Sequence, residues 1–111
     1  MGDPAAAPRE LHVDVVRFGR RGVVTVVGDI DVDSCRRLRE QLVHLIDAGV
    51  ATVVLDLAQM DFVDSTGLDV LVGAHKRLSQ RGGELILRSP RPAAQRVLEI
   101  TRLDTVFTID T

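Results

Sequence analysis

The sequence predicts a single α/β domain with a mixed, mostly parallel sheet and the element order ββαβαβαβ. Two Val-rich segments, residues 11–18 and 22–27, flank a short glycine-bounded turn and predict an antiparallel strand pair. Beyond them, apolar stripes of helical period alternate with short apolar runs, which is typical of parallel strands joined by helices. A length of 111 residues and 45% hydrophobic composition suit one domain with its own core.

The chain opens with small residues and prolines that cannot bury apolar surface. We therefore expect a flexible tail over residues 1–9 and a folded domain over residues 10–111. The first helix is expected after the segment Gly28-Asp29-Ile30-Asp31, with Asp31, Asp33 or Ser34 as its cap and Gly49 as its stop. Its apolar stripe comprises Cys35, Leu38, Leu42, Leu45 and Ile46.

The centre of the chain predicts a buried strand, a short loop and a helix. Residues 53–57 form an apolar, β-branched run, which is typical of a strand covered on both faces. A helix is expected from Asp69 to about Arg81. Its stripe comprises Leu68, Leu71, Val72, His75 and Leu78. The loop between them, Asp64-Ser65-Thr66-Gly67, places a serine hydroxyl at a positively polarised helix start.

The last third of the chain predicts a strand, a helix and a short final strand. Gly82-Gly83 ends the second helix, and residues 84–88 carry the apolar run of the fourth strand. Ser89-Pro90-Arg91-Pro92 predicts a cap with proline in the first turn of a third helix. That helix continues through Ala94, Val97, Leu98 and Thr101, and residues 106–109 predict the last strand.

Composition argues against several function classes. Acidic residues outnumber basic ones 16 to 14, and the aromatic residues are three phenylalanines, so no basic patch or stacking platform for nucleic acid is present. The single cysteine, Cys35, excludes an internal disulfide, and no signal peptide or membrane-spanning run is recognised. We expect a cytoplasmic protein that neither binds nucleic acid nor inserts into a membrane.

Carboxylates near Ser65 raise the question of hydrolysis or metal binding. They are Asp56, Asp61, Asp64 and Asp69. A nucleophilic serine needs a base close by, and His75 would lie ~15 Å from Ser65 at ~1.5 Å per helical residue. The spacing also lacks the ligands of a calcium loop, and no Gly-rich phosphate loop occurs. We therefore expect no enzymatic activity, no metal and no cofactor.

A serine at a helix start is better suited to accept a phosphate. The free N–H groups there accommodate its ~1.5–2 negative charges without unfolding the helix. A partner packed over Ser65 would then face an unpaired charge beside Asp61, Asp64 and Asp69, which costs several kcal/mol in a desolvated interface. Since ~1.4 kcal/mol changes affinity tenfold, the chemistry predicts a reversible binding module.

The same residues resemble the STAS family, specifically the bacterial anti-sigma-factor antagonists. Residues 53–78, with Asp64-Ser65-Thr66-Gly67-Leu68 at their centre, carry most of the resemblance. Gly28-Asp29-Ile30-Asp31 matches the family's Gly-acidic-aliphatic-Asp segment, and residues 89–107 resemble its C-terminal helix and last strand. The resemblance implies a STAS fold over residues 10–111. Val32-Asp33-Ser34-Cys35 departs from the Thr-plus-small-residue start of the family's first helix.

The resemblance implies a partner switch centred on Ser65. An anti-sigma factor that is also a serine kinase would phosphorylate Ser65, and a PP2C-type phosphatase would dephosphorylate it. The unphosphorylated chain would sequester the anti-sigma factor and so release a sigma factor. The implied docking surface comprises Asp29, Asp31, Asp61, Val63, Asp64, Thr66, Gly67, Leu68 and Asp69.

Simpler explanations of these residues remain open at the level of sequence. Ser65 could be a plain N-cap, Asp56 a strand-end residue that bonds the loop, and Asp29 and Asp31 solvated turn residues. Gly67 could meet a backbone requirement of the loop or leave room for a partner. The alternative function is a non-switching STAS accessory subunit of a lipid-transport or stress-signalling complex.

Overall fold

The computed structural model describes residues 11–30, 32–62 and 65–110, and of Asp61, Phe62 and Ser65 it describes the backbone alone. The predicted tail, residues 1–9, lies outside these ranges. Within them the elements are β1 (His12–Phe18), β2 (Arg21–Asp29), α1 (Val32–Asp47), β3 (Thr52–Phe62), α2 (Ser65–Ser79), β4 (Glu84–Arg88), α3 (Pro92–Ile100), a 3-10 turn (Leu103–Thr105) and β5 (Thr108–Asp110).

The strands form one mixed sheet in the spatial order β1-β2-β3-β4-β5. β1 pairs antiparallel with β2 through the two-residue turn Gly19-Arg20, and Gly19 has a φ of +59° that favours glycine. β2, β3, β4 and β5 pair with their neighbours in parallel. The predicted order ββαβαβαβ and the mostly parallel sheet are both confirmed.

β3 is the centre of the core. Val53, Val54 and Leu55 are each 0% exposed. Because successive strand residues point to opposite faces, both faces of β3 are covered there, as the apolar run predicted. Leu55 lies in register with Val24 of β2 and Leu87 of β4, so aliphatic side chains of three strands meet in one layer.

α1 follows its predicted stripe closely. Cys35, Leu38, Leu42, Leu45 and Ile46 are all buried. The helix ends as predicted at Gly49, whose φ is +99°. The Gly49 N–H donates to the Ile46 carbonyl at 3.1 Å, and the Val50 N–H donates to the Leu45 carbonyl at 3.3 Å. This pair of bonds satisfies carbonyls that the helix itself leaves free.

α2 differs from its prediction in its start and in its buried face. It begins at Ser65, four residues before the predicted Asp69. Leu71 and Leu78 are buried as predicted, and the other stripe residues are half-buried. Val70 and Ala74 are buried as well, because α2 packs against α1 in addition to the sheet. A single stripe therefore underestimated the apolar face of this helix.

The start of α3 is also corrected by the structure. Its N-cap is Arg91, followed by Pro92 in the first turn, and no side-chain bond caps it. Ser89, in the predicted cap segment, instead takes a φ of +51°, and its N–H donates to the Asp110 carbonyl at 2.6 Å. Ser89 thus connects β4 to β5. Thr101, expected within the helix, is its C-cap.

The last strand begins later than expected. The 3-10 turn Leu103–Thr105 precedes it, and the N–H groups of Val106 and Phe107 both donate to the Leu103 carbonyl at 3.0 Å. These two residues therefore belong to the turn, and β5 starts at Thr108. Across the described ranges, no helix combines the length and the apolar character needed to span a bilayer.

Candidate functional site

The predicted docking residues follow two neighbouring strands of the sheet. The β2–α1 segment and the start of α2 follow the carboxyl ends of β2 and β3, which are parallel neighbours. Asp29 is in register with Phe62, so the two strands end at the same edge of the sheet. Loops at the carboxyl ends of parallel strands are where α/β sheets place their binding sites.

Ile30, the residue directly after β2, lies beside the first turn of α2. Its side chain is 2% exposed, and a Cβ at Gly67 would lie 3.5 to 3.8 Å from three of its carbons. Gly67 is buried and its φ is outside the left-handed region. A backbone requirement therefore does not explain this glycine. Its open side faces Ile30, and a Cβ there would make only ordinary van der Waals contacts, so the approach of the two segments does not require glycine either.

Cys35 makes a second contact in this region, between the starts of α1 and α2. It is buried in the first turn of α1, as expected of a core-facing cysteine, and its thiol donates to the Thr66 carbonyl at 3.3 Å. Thr66 directly follows Ser65 in the first turn of α2. The start of α2 is thus held by β2 through Ile30 and by α1 through Cys35.

The Cys35 thiol is expected to react with a disulfide reagent such as DTNB at least about a hundredfold more slowly in the native protein than in urea. Its reaction needs the α1–α2 junction to open, and a hundredfold protection corresponds to about 2.8 kcal/mol of opening free energy. Absorbance kinetics measure the rate, with Cys35→Ser as the background control. Rapid modification of the native protein would show that the junction is open in solution.

The structure places the predicted docking residues at several depths. Asp69 is exposed, Asp29, Thr66 and Leu68 are half-buried, and Gly67 is buried. Asp31, Val63 and Asp64 lie outside the described residues, and the side chains of Asp61 and Ser65 are not described either. Their roles as docking residues stay predictions. Ser65 itself begins α2, as its assignment to a helix start requires.

Asp56 has a structural role. Its Oδ1 accepts a hydrogen bond from the Ala58 N–H at 3.0 Å. The expectation of a strand-end residue that bonds the loop is wrong, because β3 continues to Phe62 and both residues lie inside the strand. In the described part of the chain, no group of three or more His, Cys, Asp or Glu is placed to hold a metal ion.

Two features of this region were missed by the sequence analysis. Val32, the first residue of α1, is 71% exposed beside the acidic β2–α1 segment. Thr66 and Asp69 also line a cleft of about 390 Å³ between α1 and α2. An apolar residue at a helix start signals the first feature, and a glycine inside α2, Gly73, signals the second.

The fold is that of a single α/β domain in which β2 and β3 end at the same edge of a mixed sheet. Residues 12–111 match the STAS domain family. The anti-sigma-B factor antagonist of Bacillus subtilis (strain 168) is 36% identical over 99 residues, which cover 89% of this chain and 90% of that protein. This chain belongs to the STAS domain family.

Solved structures agree with that assignment. An anti-sigma factor antagonist from Mycobacterium paratuberculosis superposes with a TM-score of 0.83 at 26% identity, covering 94% of this chain and 88% of its own. The anti-sigma factor antagonist SpoIIAA in its unphosphorylated form gives a TM-score of 0.80 at 22% identity, covering 90% of this chain and 89% of its own. The phosphorylated form of SpoIIAA gives a TM-score of 0.74 at 20% identity, covering 90% of this chain and 92% of its own. The SpoIIAA comparisons establish a shared fold.

Proposed function

We propose that this chain is an anti-sigma-factor antagonist whose docking surface is formed by the β2–α1 segment and the start of α2. The observation that carries the proposal is the double connection of these two parts, Ile30 against Gly67 and Cys35 to Thr66. These contacts make one rigid surface out of residues that are more than 30 positions apart. A preorganised surface loses little entropy when a partner binds. The names of the similar proteins support this function.

Phosphorylation of Ser65 is proposed as the switch that releases the partner. Ser65 is the first residue of α2, where the N–H groups lack intrahelical acceptors and the helix dipole favours an anion. The fold can therefore accept a phosphate, and SpoIIAA, which shares it, has been solved in both states. The exposed carboxylate of Asp69, one turn along α2, adds to the negative charge that a docked partner would meet.

The proposed partner is an anti-sigma factor with serine-kinase activity, which the unphosphorylated chain sequesters in the cytoplasm. A PP2C-type phosphatase would restore binding by removing the phosphate from Ser65. The chain itself would contribute binding and a phosphate acceptor but no catalysis.

Immobilised Ser65→Ala, incubated with host lysate, ATP and Mg²⁺, is expected to retain a kinase-like protein. Ser65→Glu should retain at least tenfold less of that protein, which corresponds to a loss of about 1.4 kcal/mol in binding free energy. Quantitative mass spectrometry of the retained proteins, with wild type alongside, measures the ratio. Ser79→Glu is the matched control, because it adds the same charge at the exposed far end of α2.

Retention of the same proteins by wild type, Ser65→Ala and Ser65→Glu would reject the switch. Ser65 would then be only a helix cap, and a non-switching accessory subunit would be the better description. Co-purification with a membrane ATPase in that experiment would identify the lipid-transport form of that role.

A further inference from the structure

Gly73 has no explanation within the chain itself. It lies in the interior of α2, where glycine costs about 0.8–1.0 kcal/mol relative to alanine. Its φ is outside the left-handed region, and a Cβ built on it would meet nothing within 4 Å. The fold would therefore accept a side chain at this position. A cost in helix stability with no internal steric reason suggests that the open space itself is used.

That open space is the cleft between α1 and α2. Its floor is apolar and consists of Leu42 and Ile46 of α1 with Val70 and Ala74 of α2, all of them buried. These pairs are four residues apart on each helix, so they line up along the two helix axes. Gly73 stands beside Ala74 in the wall, so a side chain at position 73 would fill the cleft.

The two ends of the cleft are fixed by contacts between the helices. Cys35 binds the Thr66 carbonyl near the start of both helices, and Asp47 pairs with Arg77 near their ends, with an Nη2–Oδ1 distance of 3.1 Å. The helices thus run side by side, with Thr66 in the lining at one end and Arg77 at the other. The cleft is continuous with the proposed docking surface at Thr66.

Two arginines lie at the rim of the cleft, Arg39 and Arg77. Arg77 is already bonded to Asp47, whereas Arg39 is exposed and, among the described residues, has no carboxylate partner. Asp69 is the acidic member of the lining. An apolar floor with a free arginine at its edge suits a large apolar side chain next to a carboxylate.

We propose that this cleft receives an amphipathic helix of the anti-sigma factor, with one large apolar side chain seated beside Gly73 and a carboxylate paired with Arg39. The proposal rests on the proposed function for the identity of the partner. An apolar helix face in a hydrophobic groove is a common mode of protein recognition, and anchors of this kind carry much of the binding energy. Because Thr66 belongs to both surfaces, one partner can cover the cleft and Ser65 together.

Gly73→Leu is expected to weaken binding of the purified partner, the protein retained by Ser65→Ala, at least tenfold in isothermal titration calorimetry. The Cβ of the leucine enters open space on the cleft side of α2, and leucine is a good helix former, so we expect the fold to be retained. Lys76→Leu is the matched control, since it adds the same side chain to an exposed position of α2 outside the cleft. Unchanged binding by Gly73→Leu would reject the cleft as a docking site.

A photoreactive benzoylphenylalanine at position 43, which lines the cleft and leaves Arg39 in place, is introduced in host cells and tests the cleft independently of Ser65. We expect a cross-link to the same partner, lost when Gly73→Leu is added, and none from position 36, which is exposed on α1 outside the cleft. If no protein is cross-linked, or if the adduct has the mass of a small molecule, the proposal for the cleft is overturned. The switch at Ser65 would not be affected by that result. A third outcome is a cross-link that depends on Gly73 but forms with a protein that wild type, Ser65→Ala and Ser65→Glu retain equally. That outcome would reject the switch at Ser65 and the partner proposed for the cleft.

Discussion

Ile30→Ala is expected to lower the free energy of unfolding by about 2–5 kcal/mol, the usual cost of deleting a large aliphatic side chain from a core. Ile30 is 2% exposed and fills the space between the end of β2 and the first turn of α2. That turn is also tied to α1 through Thr66, so it cannot move freely to close the cavity. Urea denaturation measures the loss, and Ile100→Ala, at a side chain 74% exposed, should change stability by no more than about 0.5 kcal/mol.

A double-mutant cycle with Gly67→Ala assigns the effect to this contact. A Cβ at Gly67 would lie in ordinary van der Waals contact with Ile30, so Gly67→Ala alone should be close to neutral. In the Ile30→Ala background the same methyl group enters the cavity and should recover about 0.5–1 kcal/mol, within the range of coupling between contacting residues. Strict additivity of the two changes would show that the side chains do not share this space.

The same variants report on function. Because Ile30 holds the β2–α1 segment against the start of α2, Ile30→Ala should also weaken partner retention although Ser65 is intact. Ile100→Ala should leave retention unchanged. A loss of retention equal in both variants would show that the effect does not arise from the docking surface.

Much of the fold was predictable because its signals are local. The β-branched run of β3, the stripe of α1 and the stop at Gly49 each depend on residues close together in sequence, and the structure confirms all three. The errors arose where tertiary contacts override such signals. α2 buries Val70 and Ala74 only because α1 packs beside it, and a single-helix pattern contains no information about that neighbour.

The helix-start position of Ser65 was predictable from the sequence, whereas the contacts around it were not. Placing Ser65 at a helix start needed only the strand–loop–helix pattern. The contacts of Ile30 with Gly67 and of Cys35 with Thr66 depend on two parallel strands ending at the same sheet edge, which becomes visible only once the strand order is known. The role of Gly73 is likewise apparent only when the space around its Cα can be inspected.

Gly83→Ala is expected to destabilise the domain by about 1–3 kcal/mol, the usual cost of forcing an extra carbon into a packed site. A Cβ at Gly83 would overlap the Ala51 carbonyl oxygen and lie 3.2 Å from the Leu78 carbonyl oxygen. Both are backbone atoms and both accept hydrogen bonds, from the Glu84 N–H at 2.9 Å and the Gly83 N–H at 2.7 Å. Relief of the overlap must therefore disturb the bonds that hold the α2–β4 turn to α2 and to the residue before β3.

Gly73→Ala is the matched control for Gly83→Ala, and its expected effect has the opposite sign. Alanine at position 73 enters open space and removes the entropic cost of a mid-helix glycine, so stability should rise by about 0.5–1 kcal/mol. Thermal unfolding of the two variants beside wild type measures both changes. The same methyl group, added to two glycines ten positions apart, thus separates a glycine that the fold requires from one that it does not. Destabilisation by Gly73→Ala would mean that the open space serves the fold, and the argument for an external occupant of the cleft would lose its basis.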